Sequence, residues 1–112
     1  MERIRPIALA LPGAVERPSH GSPTFFTAEG REGRTFASVH DEREYFEGRL
    51  CLWAAGPLEL QEALVDSGPE RFFVPPYVGH RGWVGLRLEG PEVDWDEVAG
   101  VIEDAHAHVV ER

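Results

Sequence analysis

Hydrophobic and polar positions along this chain fall into two periods. One, at helical spacing, marks three helices; the other, alternating or continuously apolar over a few residues, marks strands. Ile4, Ile7, Ala8 and Leu11 share one face of a helix that Pro12-Gly13 ends. Pro6 either sits in the first turn of that helix or kinks it. Val15–Gly21 reads as an irregular connection. Pro23–Thr27 and Thr35–His40 are β-branched and aromatic runs separated by a turn with two glycines, Glu29–Gly33, and so form a hairpin. The charged segment Asp41–Gly48 leads to Leu50–Ala54, a strand apolar on both faces, which predicts a central position.

Gly56-Pro57 opens a second helix with Leu60, Ala63 and Leu64 as its inner stripe, and Gly68-Pro69 stops it. Arg71–Val74 is a short extended piece, kept out of a central ladder by Pro75-Pro76. Trp83–Leu88 alternates: Val84, Leu86 and Leu88 on one side, Trp83, Gly85 and Arg87 on the other. The last helix is capped by Asp94 with Glu97 three residues on, and Trp95, Val98, Val101, Ile102, Ala105 and Val109 form its apolar stripe. The expectation is an α+β domain: an antiparallel sheet of about four to five strands with helices mainly on one face, in the order α-β-β-β-α-β-α.

With 112 residues the chain has room for one core, so residues 1–112 are expected to form one domain. A single cysteine, Cys51, excludes an internal disulfide and fits a reducing compartment. The apolar run near the start, Ile7–Leu11, is too short for a secretory signal or a membrane span. A cytoplasmic protein with no membrane association is expected. Charge changes the picture more. The formal net charge is −9, and residues 89–112 hold eight acids against Arg112 alone. The stretch Arg71–Leu88 contains no acid and three arginines. Phosphate neutralisation supplies most non-specific nucleic-acid affinity, so the overall charge argues against such binding.

Chemistry is sparse. His106 and His108 stand two apart on a helix and cannot grip one ion, and no Cys-x-x-Cys or His-Glu-x-x-His spacing is present. Ser19-His20-Gly21-Ser22 sets hydroxyls beside an imidazole, but a turn explains those serines better than a nucleophile does. Cys51 lies in a strand expected to be buried. No catalytic residue, metal or cofactor is expected from these patterns. The feature that remains is a group of aromatic and basic residues: Trp53 and Trp83 on one sheet face, Arg87 on the same side, and Tyr77, His80 and Arg81 in the loop that feeds Trp83. It reads either as a surface for stacking and phosphate contact or a protein interface, or as a Trp pair covered by a helix or by Pro75-Pro76 with Arg81 solvated.

Five blocks in order carry a resemblance: Ile7–Gly13, Gly21–Phe25, Leu50–Trp53, Pro75–Gly79 with Gly82–Gly85, and Val93–Trp95 opening a helix. The chain resembles the MmcQ/YjbR family over nearly its whole length. The resemblance implies a compact bacterial α+β domain, similar to the CyaY-like fold, that binds DNA through a double wing of two hairpins. Carried over, the turn Glu29–Arg34 and the loop Asp41–Arg49 are the wing candidates, although both are mixed in sign. The short N-terminus and Pro6 depart from the family's longer first helix.

Two readings follow. In the first, the chain is a DNA-binding module that uses Arg71, Tyr77, His80, Arg81, Trp83 and Arg87, helped by Arg31, Arg34 and His20. In the second, it is a protein-interaction or small-ligand-binding domain, able to form a homodimer, with no catalytic activity.

Overall fold

A computed structural model describes residues 2–41, 50–90 and 93–111. Six strands form one sheet: β1 (Val15–Ser19), β2 (Ser22–Phe26), β3 (Thr35–Asp41), β4 (Leu50–Ala54), β5 (Phe72–Phe73) and β6 (Val84–Arg87). Neighbours pair antiparallel in the order β1-β2-β3-β4-β6-β5. The helices are α1 (Ile4–Leu9), α2 (Leu58–Ser67) and α3 (Trp95–Val110). β4, apolar on both faces, takes the central place its composition predicts.

The sheet has more strands than the sequence pattern predicts. Val15–Ser19 is a strand and not an irregular connection. Its residues lack apolar alternation and include Pro18, which an edge strand tolerates because one row of its amides faces no partner. Its turn is tight: Ser19 pairs with Ser22, leaving His20 and Gly21, both at positive φ (53° and 82°), as a two-residue hairpin loop. The short piece at Phe72–Phe73 is the opposite edge, paired to β6.

Cross-strand partners define two faces. Phe25, Ala37, Ala54 and Val84 form one row on the core face, and Val39, Leu52, Leu86 and Phe72 form the next. α3 packs across β3 and β4 and against α1, burying Val98, Ile102, Ala105 and Val109 on these rows. Val98, Ile102 and Val109, almost fully buried, each contribute about 1.5–3 kcal/mol, and the smaller Ala105 about 0.8 kcal/mol. Between Phe25 and Phe26 the register slips, so that β3 carries one extra residue, Phe36. The bulge lets Phe36 point into the core, where its ring meets His106 edge-on at 5.0 Å. His106 is held there by its Nε2, 3.0 Å from the Pro12 carbonyl oxygen.

The predicted stripe of α2 needs a correction. Ala63 is exposed, and the buried position is Gln61. Its Nε2 donates to the carbonyl oxygens of Gly79 (2.8 Å) and Trp83 (2.6 Å). A polar residue inside an apolar stripe thus anchors the loop that precedes β6. At the start of α3, the Asp94 carboxylate accepts from the amides of Asp96 and Glu97 at 3.0 and 3.3 Å. Among the described residues no helix is long and apolar enough to cross a membrane.

Candidate functional site

The second face of the sheet carries the row Thr24, Ser38, Trp53, Gly85 and Phe73. Short hydroxyl side chains at Thr24 and Ser38 leave depth beside the Trp53 indole. His40, two residues along β3 on the same side, lies flat on Trp53 with ring centroids 3.6 Å apart and planes at 23°. Its Nε2 is 2.7 Å from Ser38 Oγ and its Nδ1 is 3.2 Å from Ser22 Oγ. Burial lowers its pKa from 6.5 to about 4, so the ring is neutral at physiological pH. A neutral imidazole donates through one nitrogen and accepts through the other. One serine therefore gives its proton to the ring, and the other accepts from it and keeps its own O–H to donate elsewhere.

The far wall is the loop Pro75–Trp83. The Val78 amide donates to the Pro76 carbonyl oxygen at 2.8 Å, closing a three-residue turn around Tyr77 at φ 68°. That turn is rare and strained for a residue with a Cβ. It leaves Tyr77 72% exposed at the rim. Gly79–Arg81 is one turn of 3₁₀ helix, closed by Gly82 at φ 98°. A Cβ on Gly82 would strike the Gly56 carbonyl, so only glycine brings this loop onto the start of α2. Arg81 then stands with its guanidinium 5.9 Å from the Trp83 ring.

Between these walls is a cleft of about 790 Å³, well within the range of small-molecule sites. Its near wall is the β1–β2 turn with His20 and Ser22; Trp53 and Trp83, only 7% and 6% exposed, form the floor; Tyr77, Val78 and Arg81 close the far side. Among the described residues lining it, none is Asp or Glu, in a chain with twenty acids. The Trp53 indole N–H, buried, has no acceptor among the described residues.

His20, Tyr77, Arg81 and Trp83, singled out in the sequence, come together at this cleft. The other five lie elsewhere. Arg71 forms a two-pronged pair with Glu97 at 3.0 and 3.4 Å. Arg87 stacks its guanidinium 4.8 Å from the Phe73 ring. His80 is exposed on the 3₁₀ turn, outside the lining. Arg31 is exposed on the 3₁₀ turn between β2 and β3. Arg34 donates to the Val109 carbonyl oxygen at 2.9 Å, near the end of α3. The wing candidates separate as well. The turn Glu29–Arg34 enters β3 at its start, whereas the loop Asp41–Arg49, of which residues 42–49 lie outside the described ones, leaves from its end. At about 3.3 Å per residue those ends are about 20 Å apart.

Sequence reasoning passed over Ser22, Ser38 and His40 as a group. Ser22 meets His40, not its sequence neighbour His20. The available signal was the alternation in Thr35–His40, which puts two polar side chains, Ser38 and His40, on the face opposite Val39. Among the described residues, no three of His, Cys, Asp and Glu gather as a metal-binding group.

Against known proteins, the family model described as YjbR matches residues 9–108. A crystal structure of Deinococcus radiodurans protein DR2400, domain DUF419, superposes with a TM-score of 0.81 at 18% identity, over 97% of this chain and 77% of that one. Likeness at that identity speaks for the fold. No curated protein matches the sequence.

Proposed function

The chain belongs to the YjbR family, and from that premise we propose that it is a small-ligand-binding domain, without catalytic chemistry of its own, that works through the cleft on the open face of its sheet. The observation that carries this reading is the cleft itself, a concave site of about 790 Å³ lined by two tryptophans, the hydroxyls of Ser22, Thr24 and Ser38, and Arg81, a composition that suits a small ligand. His40 supports binding over catalysis. A ring with its pKa lowered to about 4 is a weak base at neutral pH, and both its nitrogens are engaged.

The DNA-binding reading draws less support. Arg71 is paired with Glu97, Arg87 lies over Phe73 and Arg34 caps the end of α3, so these guanidinium groups are committed within the fold. The net charge of −9 also opposes a polyanion.

Titrating the intrinsic Trp emission with a panel of small aromatic and aliphatic metabolites, and separately with duplex DNA at low salt, distinguishes the two. A saturable change with a small molecule and none with the duplex is expected. Saturation by the duplex alone, lost steeply as salt rises, would overturn the cleft reading.

A further inference from the structure

The chain has seven serine and threonine residues, all among the described ones, and five of them line the cleft: Ser19, Ser22, Thr24, Thr35 and Ser38. The fold gathers them. Ser19 and Ser22 pair across the β1–β2 turn, and Thr24 pairs with Ser38 between β2 and β3. The indole floor offers a ligand little to grip, because His40 lies flat on Trp53 and the two tryptophans are 7% and 6% exposed. Recognition therefore falls to the hydroxyl-bearing walls and to the rim.

His40 sets what those walls offer. Of Ser22 and Ser38, one accepts from the ring N–H and keeps its own O–H to donate. The other donates to the bare ring nitrogen and keeps lone pairs to accept. Thr24 donates to the Ser22 carbonyl oxygen at 3.0 Å, so its own oxygen is also left as an acceptor. Donors and acceptors mixed in this way match the hydroxyls of a ligand, which do both; an alkyl chain in their place would strip them of water and return nothing. The other end of the cleft differs. Thr35 and Arg81 line both the cleft and a smaller cavity of about 150 Å³, which places this hydroxyl and this guanidinium at one end. Arg81 makes no ion pair among the described residues. A guanidinium and a hydroxyl together suit an oxyanion, bound by charge-assisted hydrogen bonds.

Resting on the cleft reading above, we infer that the ligand is a small hydroxylated anion of the sugar-phosphate or sugar-acid kind, its hydroxyls on the Ser22–Ser38 wall and its oxyanion on Arg81 and Thr35. Arg81 then selects charge, and Ser22 selects a hydroxyl over a methylene.

Calorimetric titration of the whole chain with five probes tests this: glucose-6-phosphate, glucuronate, glucose, cyclohexylmethyl phosphate and glucosamine. One of the two sugar anions is expected to bind about tenfold or more tighter than glucose and than cyclohexylmethyl phosphate, with glucosamine weakest. Which of the two binds tighter tells phosphate from carboxylate. Arg81→Gln should weaken that anion by about tenfold or more and leave glucose nearly unchanged. Ser22→Ala should weaken it by about threefold to tenfold, and cyclohexylmethyl phosphate by less than about twofold. Cyclohexylmethyl phosphate binding as tightly as the sugar phosphate, or glucose as tightly as both anions, would overturn the hydroxylated-anion assignment while leaving the cleft as a binding site. No heat with any of the five would overturn the assignment as well. The cleft reading falls with it only if the metabolite panel also leaves the Trp emission unchanged.

Discussion

His40 ties the local chemistry of the cleft to the stability of the fold. Its pKa in the folded chain, about 4, lies below its ordinary 6.5, and burial is the cause. As the pH falls through that window the unfolded chain takes up a proton that the folded one refuses. Stability contributed by the neutral ring is complete above pH 6.5 and lost progressively down to about 4. The loss cannot exceed about 1.4 kcal/mol per pH unit, and partial exposure of the ring reduces it. His40→Phe keeps a flat ring on Trp53 and removes the titration. Urea unfolding of both chains across this window should show a midpoint that falls more steeply for the parent than for the variant. Parallel pH profiles would mean that His40 titrates as an exposed histidine.

Gln61 makes the same point with a neutral group. Replaced by leucine, it leaves the Gly79 and Trp83 carbonyl oxygens without their donor, for a cost of about 1–3 kcal/mol in denaturant unfolding. A variant as stable as the parent would show that the loop is held by its prolines alone. Neither residue's role was readable from the sequence. Gln61 interrupts an apolar stripe and looks like a surface position, and His40 looks like a strand end. What each does depends on groups on other elements of the fold, Ser22 and Trp53 for His40, Gly79 and Trp83 for Gln61.

Among the elements, the edges of the sheet are the informative part. The central strands, β3, β4 and β6, could be placed from alternation and apolar content, because a strand covered by neighbours must present them with side chains that pack. β1 could not, since an edge strand with Pro18 and two charges does not need that pattern. β5 is two residues long and works through Phe73, whose ring lies over Gly85 of β6. A Cβ at position 85 would run into that ring. Gly85→Ala should therefore force Phe73 off the sheet, destabilising by about 1–3 kcal/mol and loosening the β5–β6 edge. Amide hydrogen exchange reads this as faster exchange at Phe72–Phe73 and Val84–Arg87. Unchanged protection there would mean that the edge does not depend on the Phe73 contact. α3 was legible throughout, from its Asp94 cap to Val109, because a sixteen-residue helix on a core shows its period in the sequence.

For the molecule as a whole, charge and concavity point the same way. A net charge of −9 repels polyanions, and the long-range field weakens as salt rises. Affinity of the proposed cleft for a small ligand would come mainly from short contacts and should vary less with ionic strength than duplex binding does. The two tryptophans of the cleft floor were foreseeable as a pair. The cleft was not, because it joins the β1–β2 turn, β3, β4 and the Pro75–Trp83 loop, which only the folded sheet brings together. Its third tryptophan makes the chain its own control: Trp95 opens α3, lies under the Arg3 guanidinium at 4.5 Å and does not line the cleft. The decisive measurement is the set of indole N–H resonances in a proton–nitrogen correlation spectrum during titration with the panel of small aromatic and aliphatic metabolites. The Trp53 and Trp83 signals should move together and saturate while Trp95 stays in place. Stationary Trp53 and Trp83 signals throughout, with the amides of Arg31 and Arg34 shifting instead on addition of duplex DNA, would contradict the account.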